Sequence, residues 1–102
     1  MTRVTQHGHE RGRERLGLKP KSMSRVASRA YEQGKAPAAF AGTFRRWLDG
    51  LAMKDGGAHV RIYGEQVWIF STGLDPRLIT VMQLSGKFRA LLRRLRAREF
   101  ES

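Results

Sequence analysis

The stretch "AHVRIYGEQVWIF", residues 58 to 70, decides the fold of this chain. Apolar and polar residues alternate with a period of two on both sides of Gly64 and Glu65, which is typical of two strands joined by a two-residue turn. The pattern therefore predicts a β-hairpin in which His59 pairs with Phe70. Because side chains alternate along a strand, this register gives the hairpin two faces of different chemistry.

The two faces of the predicted hairpin point to a core and to a candidate binding surface. The apolar face comprises Val60, Ile62, Val67 and Ile69. The other face comprises His59, Arg61, Tyr63, Gln66, Trp68 and Phe70. Mixed basic and aromatic side chains are typical of surfaces that contact phosphate and stack bases, which makes Arg61, Tyr63 and Trp68 candidate nucleic-acid contacts. The alternative is a second layer of core beneath a helix, with Arg61 extending outward.

A third strand is predicted after the loop "STGLDP", in the segment "PRLITVMQL", residues 76–84. We expect it to complete an antiparallel meander with the hairpin. Ile79 and Val81 would join the apolar face, and Thr80 and Met82 would lie on the basic and aromatic face.

The segments before the hairpin predict helices. We expect residues 1–6 to form either a flexible end or, over "TRVT", a short edge strand. "QHGHERGRERLG", residues 6–17, predicts a helix with Thr5 as its N-cap and Gly17 as its stop. Two glycines inside this helix each cost about 1 kcal/mol relative to alanine, so it needs tertiary support.

Two further helices are expected before the sheet. "SMSRVASRAYEQG", residues 22–34, has an amphipathic pattern that begins after Ser22. "APAAFAGTFRRWLDGLAM", residues 36–53, places Pro37 in a first helical turn. Its apolar face supplies most of the aromatic core and comprises Phe40, Phe44, Trp47, Leu48 and Leu51.

The chain ends in a basic amphipathic pattern, "SGKFRALLRRLRAREF", residues 85–100. Its apolar stripe comprises Phe88, Leu91, Leu92 and Leu95. Its candidate nucleic-acid-binding cations are Lys87, Arg89, Arg93, Arg94 and Arg96. The stripe either closes the domain's own core or docks on an acidic protein partner, such as an antitoxin, or on an anionic membrane.

These elements together predict the fold class. We expect one α+β domain over residues 1–102, with N-terminal helices packed on a three- to four-stranded antiparallel sheet and a basic C-terminal helix over residues 86–102.

Composition limits the partners and the chemistry. Lys and Arg number 20 against nine Asp and Glu, a formal net charge of +11, which favours nucleic acid, an anionic membrane or an acidic protein as partner. The absence of cysteine excludes disulfides, thiolate zinc sites and cysteine nucleophiles. No apolar run reaches the roughly 18 residues that span a membrane, and no secretory signal pattern is present, so we expect a cytoplasmic protein.

A histidine and two arginines recur at helical spacing near the N-terminus. His7, Arg11 and Arg15 lie four residues apart and would share one side of a helix. A ribonuclease that uses no metal needs a proton acceptor for the 2′-hydroxyl, cations for the phosphorane and an acid for the leaving oxygen. The alternative is the solvated face of a basic helix. His7 and His9 with nearby glutamates do not make a convincing three-ligand zinc site, so we expect no metal and no cofactor.

The order of motifs resembles a known family. "VTQHGHERGRERLGL", residues 4–18, then a helix, then "VWIF" and "LITVMQL", residues 67–70 and 78–84, resembles the His-x-x-x-Arg-x-x-x-Arg helix and the terminal hydrophobic-Thr-Val strand of small RelE-like proteins. These belong to the barnase, EndoU, colicin and RelE grouping of RNase toxins and their phage-borne relatives. The resemblance implies helices on an antiparallel sheet and RNA cleavage without metal.

The resemblance also implies residue roles. His7 would be the base or acid, Arg11 and Arg15 would hold the phosphate, and Thr80 would place a hydroxyl at the scissile phosphate. The glycine at position 8, the long helix of residues 36–53 and the basic C-terminal helix depart from the family pattern. Three functions therefore remain: an endoribonuclease, a non-catalytic nucleic-acid- or ribosome-binding module, and a basic protein that binds an acidic partner.

Overall fold

The computed structural model describes residues 2–54 and 56–101, and it confirms an α+β fold. Met1, at the start of the expected flexible end, lies outside the described residues. In chain order the elements are β1 (Arg3–Val4), α1 (Gln6–Leu16), α2 (Pro20–Gln33), a 3-10 turn (Pro37–Ala39), α3 (Gly42–Lys54), β2 (His59–Tyr63), β3 (Gln66–Phe70), β4 (Arg77–Gln83) and α4 (Gly86–Glu101).

The hairpin of β2 and β3 has the predicted register. His59 pairs with Phe70 at its open end, and Tyr63 pairs with Gln66 next to the turn. Gly64 and Glu65 both have positive φ, 59° and 68°. Two-residue hairpin loops favour a turn with positive φ at both central residues, because the twist of that turn matches the twist of the flanking strands. The residue pattern of 58–70 was therefore sufficient to predict this unit.

The sheet is mixed, so the prediction of an antiparallel sheet is wrong at one edge. The strand order is β1-β4-β3-β2, and β1 runs parallel to β4, with Arg3 beside Arg77 and Val4 beside Leu78. A parallel pair needs a long connection, which here is the whole chain between the two strands. The edge-strand alternative for "TRVT" is confirmed over Arg3–Val4.

The faces of β4 are the reverse of those expected. Its pairs with β3 are Val67–Met82, Trp68–Val81, Ile69–Thr80 and Phe70–Leu78, with a bulge next to the last pair. Val81 therefore lies on the face of Trp68, and Thr80 and Met82 lie on the face of Val67. A shift of one residue moves every side chain of a strand to the other face, so strand alternation alone could not fix the register across the loop.

Both faces of the sheet are covered, which gives three layers. On the Trp68 face, α1 and α2 enclose a core of Met23, Ala27, Ala30, Trp68, Phe70, Leu78 and Val81. On the Val67 face, the 3-10 turn, α3 and α4 enclose a core of Phe40, Phe44, Leu48, Ala58, Val60, Ile62, Val67, Ile69, Leu84 and Leu92. The N-terminal helices α1 and α2 are therefore separated from α3 and α4 by the sheet.

Two helix boundaries differ from the expectation. α2 begins at Pro20 rather than after Ser22, because proline suits the first turn of a helix. The single helix expected over residues 36–53 is divided into the 3-10 turn and α3. Phe40 has an extended backbone (φ −120°, ψ 172°) and Gly42 has a φ of 67°, so the helix cannot run through them. The aromatic face still packs in the core, as expected.

Close packing supplies the support that the glycines of α1 require. Gly8 and Gly12 are buried. A Cβ built on Gly8 would lie 2.6 Å from the carbonyl oxygen of Leu78, and one on Gly12 would overlap the sulfur of Met23. These two positions therefore let α1 approach β4 and α2 more closely than any larger residue would allow.

Candidate functional site

Helix α1 is fixed along β4 by hydrogen bonds at both of its ends. Thr5 caps the helix by accepting from the N–H of Gly8, and its hydroxyl donates to the carbonyl of Leu78 at 3.0 Å. At the other end, Arg15 Nη1 donates to the carbonyl of Val81 at 2.6 Å. The Gln83 side chain donates to the backbone carbonyl of Arg15 at 3.3 Å. β1 pairs only with the first two residues of β4, so α1 takes its place along the rest of the strand.

His7 and Arg11 share one side of α1, as the spacing predicts, and a hydrogen bond joins their side chains. Arg11 Nε donates to Nε2 of His7 at 3.4 Å, and Arg11 Nη1 forms an ion pair with Glu14 at 2.9 Å. His7 is exposed and Arg11 is half-buried. Neutral imidazole has one acceptor nitrogen, and Arg11 occupies it here, so Arg11 has to leave Nε2 before His7 can take a proton from a substrate.

Arg15 and Thr80 are placed differently from the sequence expectation. Arg15 lies on the same helix as His7, but its guanidinium is bonded to β4 through the Val81 carbonyl. Thr80 is half-buried and pairs with Ile69, on the face of the sheet away from α1. The structure therefore does not bring Thr80 to His7, because the register between β3 and β4 pairs Thr80 with Ile69 and places it on the face covered by α3 and α4.

The proposed stacking surface on the hairpin is a core. Trp68 is 1% exposed, and its indole N–H donates to the carbonyl of Tyr63 at 3.0 Å. Arg61 donates to the carbonyl of Tyr31 and lies over the Tyr31 ring, 5.0 Å from its centre. The expectation that Trp68 stacks on bases is therefore wrong, because α2 covers this face. The alternative of a second core layer is confirmed, and Arg61 and Tyr63 are half-buried at its margin.

The apolar stripe of α4 closes the domain's own core. Leu92 is 3% exposed, and Phe88, Leu91 and Leu95 pack partly buried against the same core. Leu92 is therefore committed to the domain's own core, whereas Phe88, Leu91 and Leu95 each keep part of their surface exposed. The candidate nucleic-acid-binding cations of α4 are all exposed: Lys87, Arg89, Arg93, Arg94 and Arg96.

One of these cations joins α4 to the hairpin turn. Arg93 Nε lies 2.9 Å from Oε1 of Glu65. The hydrogen bond from Arg93, helped by the charges of Arg93, Arg96 and Arg89, holds the pKa of the Glu65 carboxyl below its ordinary value of 4.5, against a smaller opposing effect of burial. A second ion pair, between Lys35 and Glu99 at 2.6 Å, joins α4 to the loop after α2.

An aromatic surface that the sequence analysis assigned only to the core lies between α3 and α4. Trp47 and Phe88 are both half-buried, and their ring centres are 5.1 Å apart with an interplanar angle of 31°. The signal for this exposure was the position of Trp47, directly after two arginines on an amphipathic helix. These two half-buried rings are therefore candidate ligand contacts on the side of the sheet that carries α4.

Comparison of the chain with protein-family models, with curated proteins and with solved structures finds no match. Within residues 2–54 and 56–101, no helix is long and apolar enough to cross a membrane. In the same described ranges, no three His, Asp or Glu side chains come close enough together to hold a metal ion.

Proposed function

We propose that this protein is a small RNA-directed endoribonuclease that needs no metal, of RelE-like toxin type, with His7 as its general base. The observation that supports this most directly is the exposed His7 imidazole, whose Nε2 accepts from Arg11 at 3.4 Å. The net charge of +11 supports a polyanionic substrate, and the motif order of α1 and β4 supports the family type. Such an enzyme would meet its substrate in the cytoplasm.

The proposed reaction uses the ribose 2′-hydroxyl as nucleophile. Arg11 moves from Nε2 of His7 to the phosphate, and Nε2 then accepts the hydroxyl proton. The 2′-oxygen attacks phosphorus, and the bond from phosphorus to the 5′-oxygen breaks. The products are a 2′,3′-cyclic phosphate and a 5′-hydroxyl, which takes its proton from solvent. Arg11 is the cation nearest to His7, so it is the group that would stabilise the charge of the phosphorane.

Arg11 and Arg15 can both bind a substrate phosphate, although each already has a hydrogen-bond partner in the free protein. Arg11 is paired with Glu14 on the same helix, in a pair exposed enough for phosphate to displace the carboxylate. Arg15 uses Nη1 on the Val81 carbonyl, and a guanidinium has five N–H donors, so others remain for a phosphate oxygen.

The second candidate is a non-catalytic RNA- or ribosome-binding module. The observation that favours it is the division of the predicted catalytic set, since Thr80 lies on the opposite face from His7. In this function the exposed cations of α4 bind phosphate by counterion release, and substitution of His7 has no effect on the RNA.

The experiment that separates the two candidates is RNA cleavage in the presence of chelator. Wild-type protein, His7→Ala and the matched control His9→Ala are incubated with the same RNA and with a 2′-deoxy analogue of it. We expect cyclic-phosphate products from the wild type and from His9→Ala, none from His7→Ala, and none from the deoxy analogue. Cleavage that survives in His7→Ala contradicts the proposal, and intact RNA bound by all three proteins supports the binding module.

A further inference from the structure

A cleft of about 260 Å³ opens between α3 and α4, on the side of the sheet away from His7. Its lining comprises Ala41, Thr43, Phe44, Lys87, Phe88, Leu91 and Arg94. This volume lies below the roughly 300–1,000 Å³ of pockets that enclose a whole small molecule. The cleft is therefore suited to one flat group of a larger ligand whose remainder lies on the surface.

The floor of the cleft is aromatic. The rings of Phe44 and Phe88 have centres 4.7 Å apart, and Trp47 lies beside Phe88 at 5.1 Å. Phe44 is buried beneath this layer, while Phe88 and Trp47 are half-buried and reach the surface. A half-exposed aromatic layer of this kind offers a stacking surface to a planar base.

The rim of the cleft is cationic. Lys87 and Arg94 are both exposed and lie seven residues apart on α4, which places them on the same side of the helix about 10 Å apart along its axis. No acidic side chain is among the described residues that line the cleft. A second cleft beside α4, of about 220 Å³, is lined by Lys35 and Arg96, and one of these two cations, Lys35, is already paired with Glu99.

We propose that this cleft is a binding subsite for single-stranded nucleic acid, in which a base stacks on Phe88 and the flanking phosphates contact Lys87 and Arg94. Aromatic stacking beneath a cationic rim fits an unpaired base with its phosphates better than it fits a duplex, whose bases are stacked on each other. This proposal rests on the proposed function because it takes RNA as the natural ligand. It adds that the bound RNA is single-stranded and that the subsite lies on the opposite side of the sheet from His7.

The test uses an oligodeoxythymidylate, which has no 2′-hydroxyl and therefore cannot be cleaved by the proposed reaction. Binding is followed by tryptophan fluorescence, because Trp47 adjoins the cleft whereas Trp68 is 1% exposed. The comparison ligands are an abasic strand of the same length and polyglutamate, which present anions without bases. Trp47→Phe identifies the tryptophan that gives the signal.

We expect the oligonucleotide to quench Trp47. The abasic strand and polyglutamate should bind at least about fivefold more weakly without quenching, since stacking is worth about 1–3 kcal/mol per base. Lys87→Ala with Arg94→Ala should lower the slope of log affinity against log salt by about 1.4, for two contacts on a single strand. Phe88→Leu should weaken binding about tenfold without changing that slope, and thermal unfolding checks that it remains folded.

The matched control is Lys21→Ala with Arg25→Ala, which removes two exposed cations from α2 on the other side of the sheet. We expect it to leave affinity within about twofold of the wild type. The subsite would be overturned if the two double variants lost the same affinity. It would also be overturned if the abasic strand bound as tightly as the oligonucleotide, or if binding did not quench Trp47. His7→Ala should retain this binding, so loss of cleavage and loss of the subsite are separately detectable.

Discussion

The guanidinium of Arg15 donates a hydrogen bond of 2.6 Å to the backbone carbonyl of Val81, which fixes the last turn of α1 to the central part of β4. Arg15, to which the family resemblance gives a phosphate-binding role, therefore also holds α1 against the sheet. Its substitution is expected to affect stability as well as any reaction at His7.

Arg15→Ala should lower the free energy of unfolding by about 1–2 kcal/mol, because a hydrogen bond from a charged donor is lost and the Val81 carbonyl loses this partner. Arg13→Ala is the matched control. It removes a cation from the same last turn, where both arginines interact with the helix dipole, and Arg13 is exposed. Urea unfolding of the two variants measures the difference, and equal stabilities would show that the contact with Val81 contributes nothing.

Gly8→Ala should destabilise the protein by about 1–3 kcal/mol, although alanine is the better helix former. The added Cβ would lie 2.6 Å from the backbone oxygen of Leu78, and a backbone atom in a sheet cannot move aside easily. Gly50→Ala in α3 is the control, because no atom of another element lies within 4 Å of the Cβ position there.

Gly50→Ala should be stabilising by up to about 1 kcal/mol, from helix propensity alone. Thermal unfolding followed by circular dichroism compares the two glycine variants. The same sign of change in both would mean that close packing of α1 on β4 is not what selects glycine at position 8.

Trp68→Phe should reduce stability by about 1–3 kcal/mol, because a buried indole and its hydrogen bond to the Tyr63 carbonyl are lost. Its affinity for a single-stranded oligonucleotide should equal that of the wild type. Denaturant unfolding and a binding titration on the same preparation test both statements. A loss of affinity without a loss of stability would return Trp68 to the role of a stacking residue.

Acid should weaken the contact between α4 and the hairpin turn. The pKa of Glu65 is lower in the folded protein than its ordinary value of 4.5, so the unfolded chain binds the proton more readily. The ion pair with Arg93 therefore stabilises the fold above that value, and its contribution is lost as the pH falls through the lowered pKa.

An NMR titration of the Glu65 carboxylate measures this effect directly. Arg93→Ala should raise the pKa of Glu65 toward 4.5, because the first cause of the shift is removed. Arg98→Ala removes the same charge from the same helix at a position that does not contribute to the shift, and it should leave the titration nearly unchanged. A curve for Arg93→Ala that matches the wild type would contradict the assignment.

The sequence by itself determined those features that depend only on residues close together in the chain. Thr5 and Gly17 bound α1 because capping uses groups within one turn of the helix end. Gly64 and Glu65 set the hairpin register because a two-residue turn leaves one way to pair its strands. The spacing of His7 and Arg11 brought them together because residues four apart are neighbours on a helix.

Relationships between distant segments were decided only by the tertiary structure. The register between β3 and β4 placed Thr80 on the face of Val67, and the parallel pairing of β1 with β4 made the sheet mixed. The packing of α2 on the sheet turned Trp68 from a candidate surface residue into a core residue. The physical reason is that alternation and helical periodicity fix which side chains share a face, whereas the choice of element that covers each face depends on packing between residues far apart in the chain.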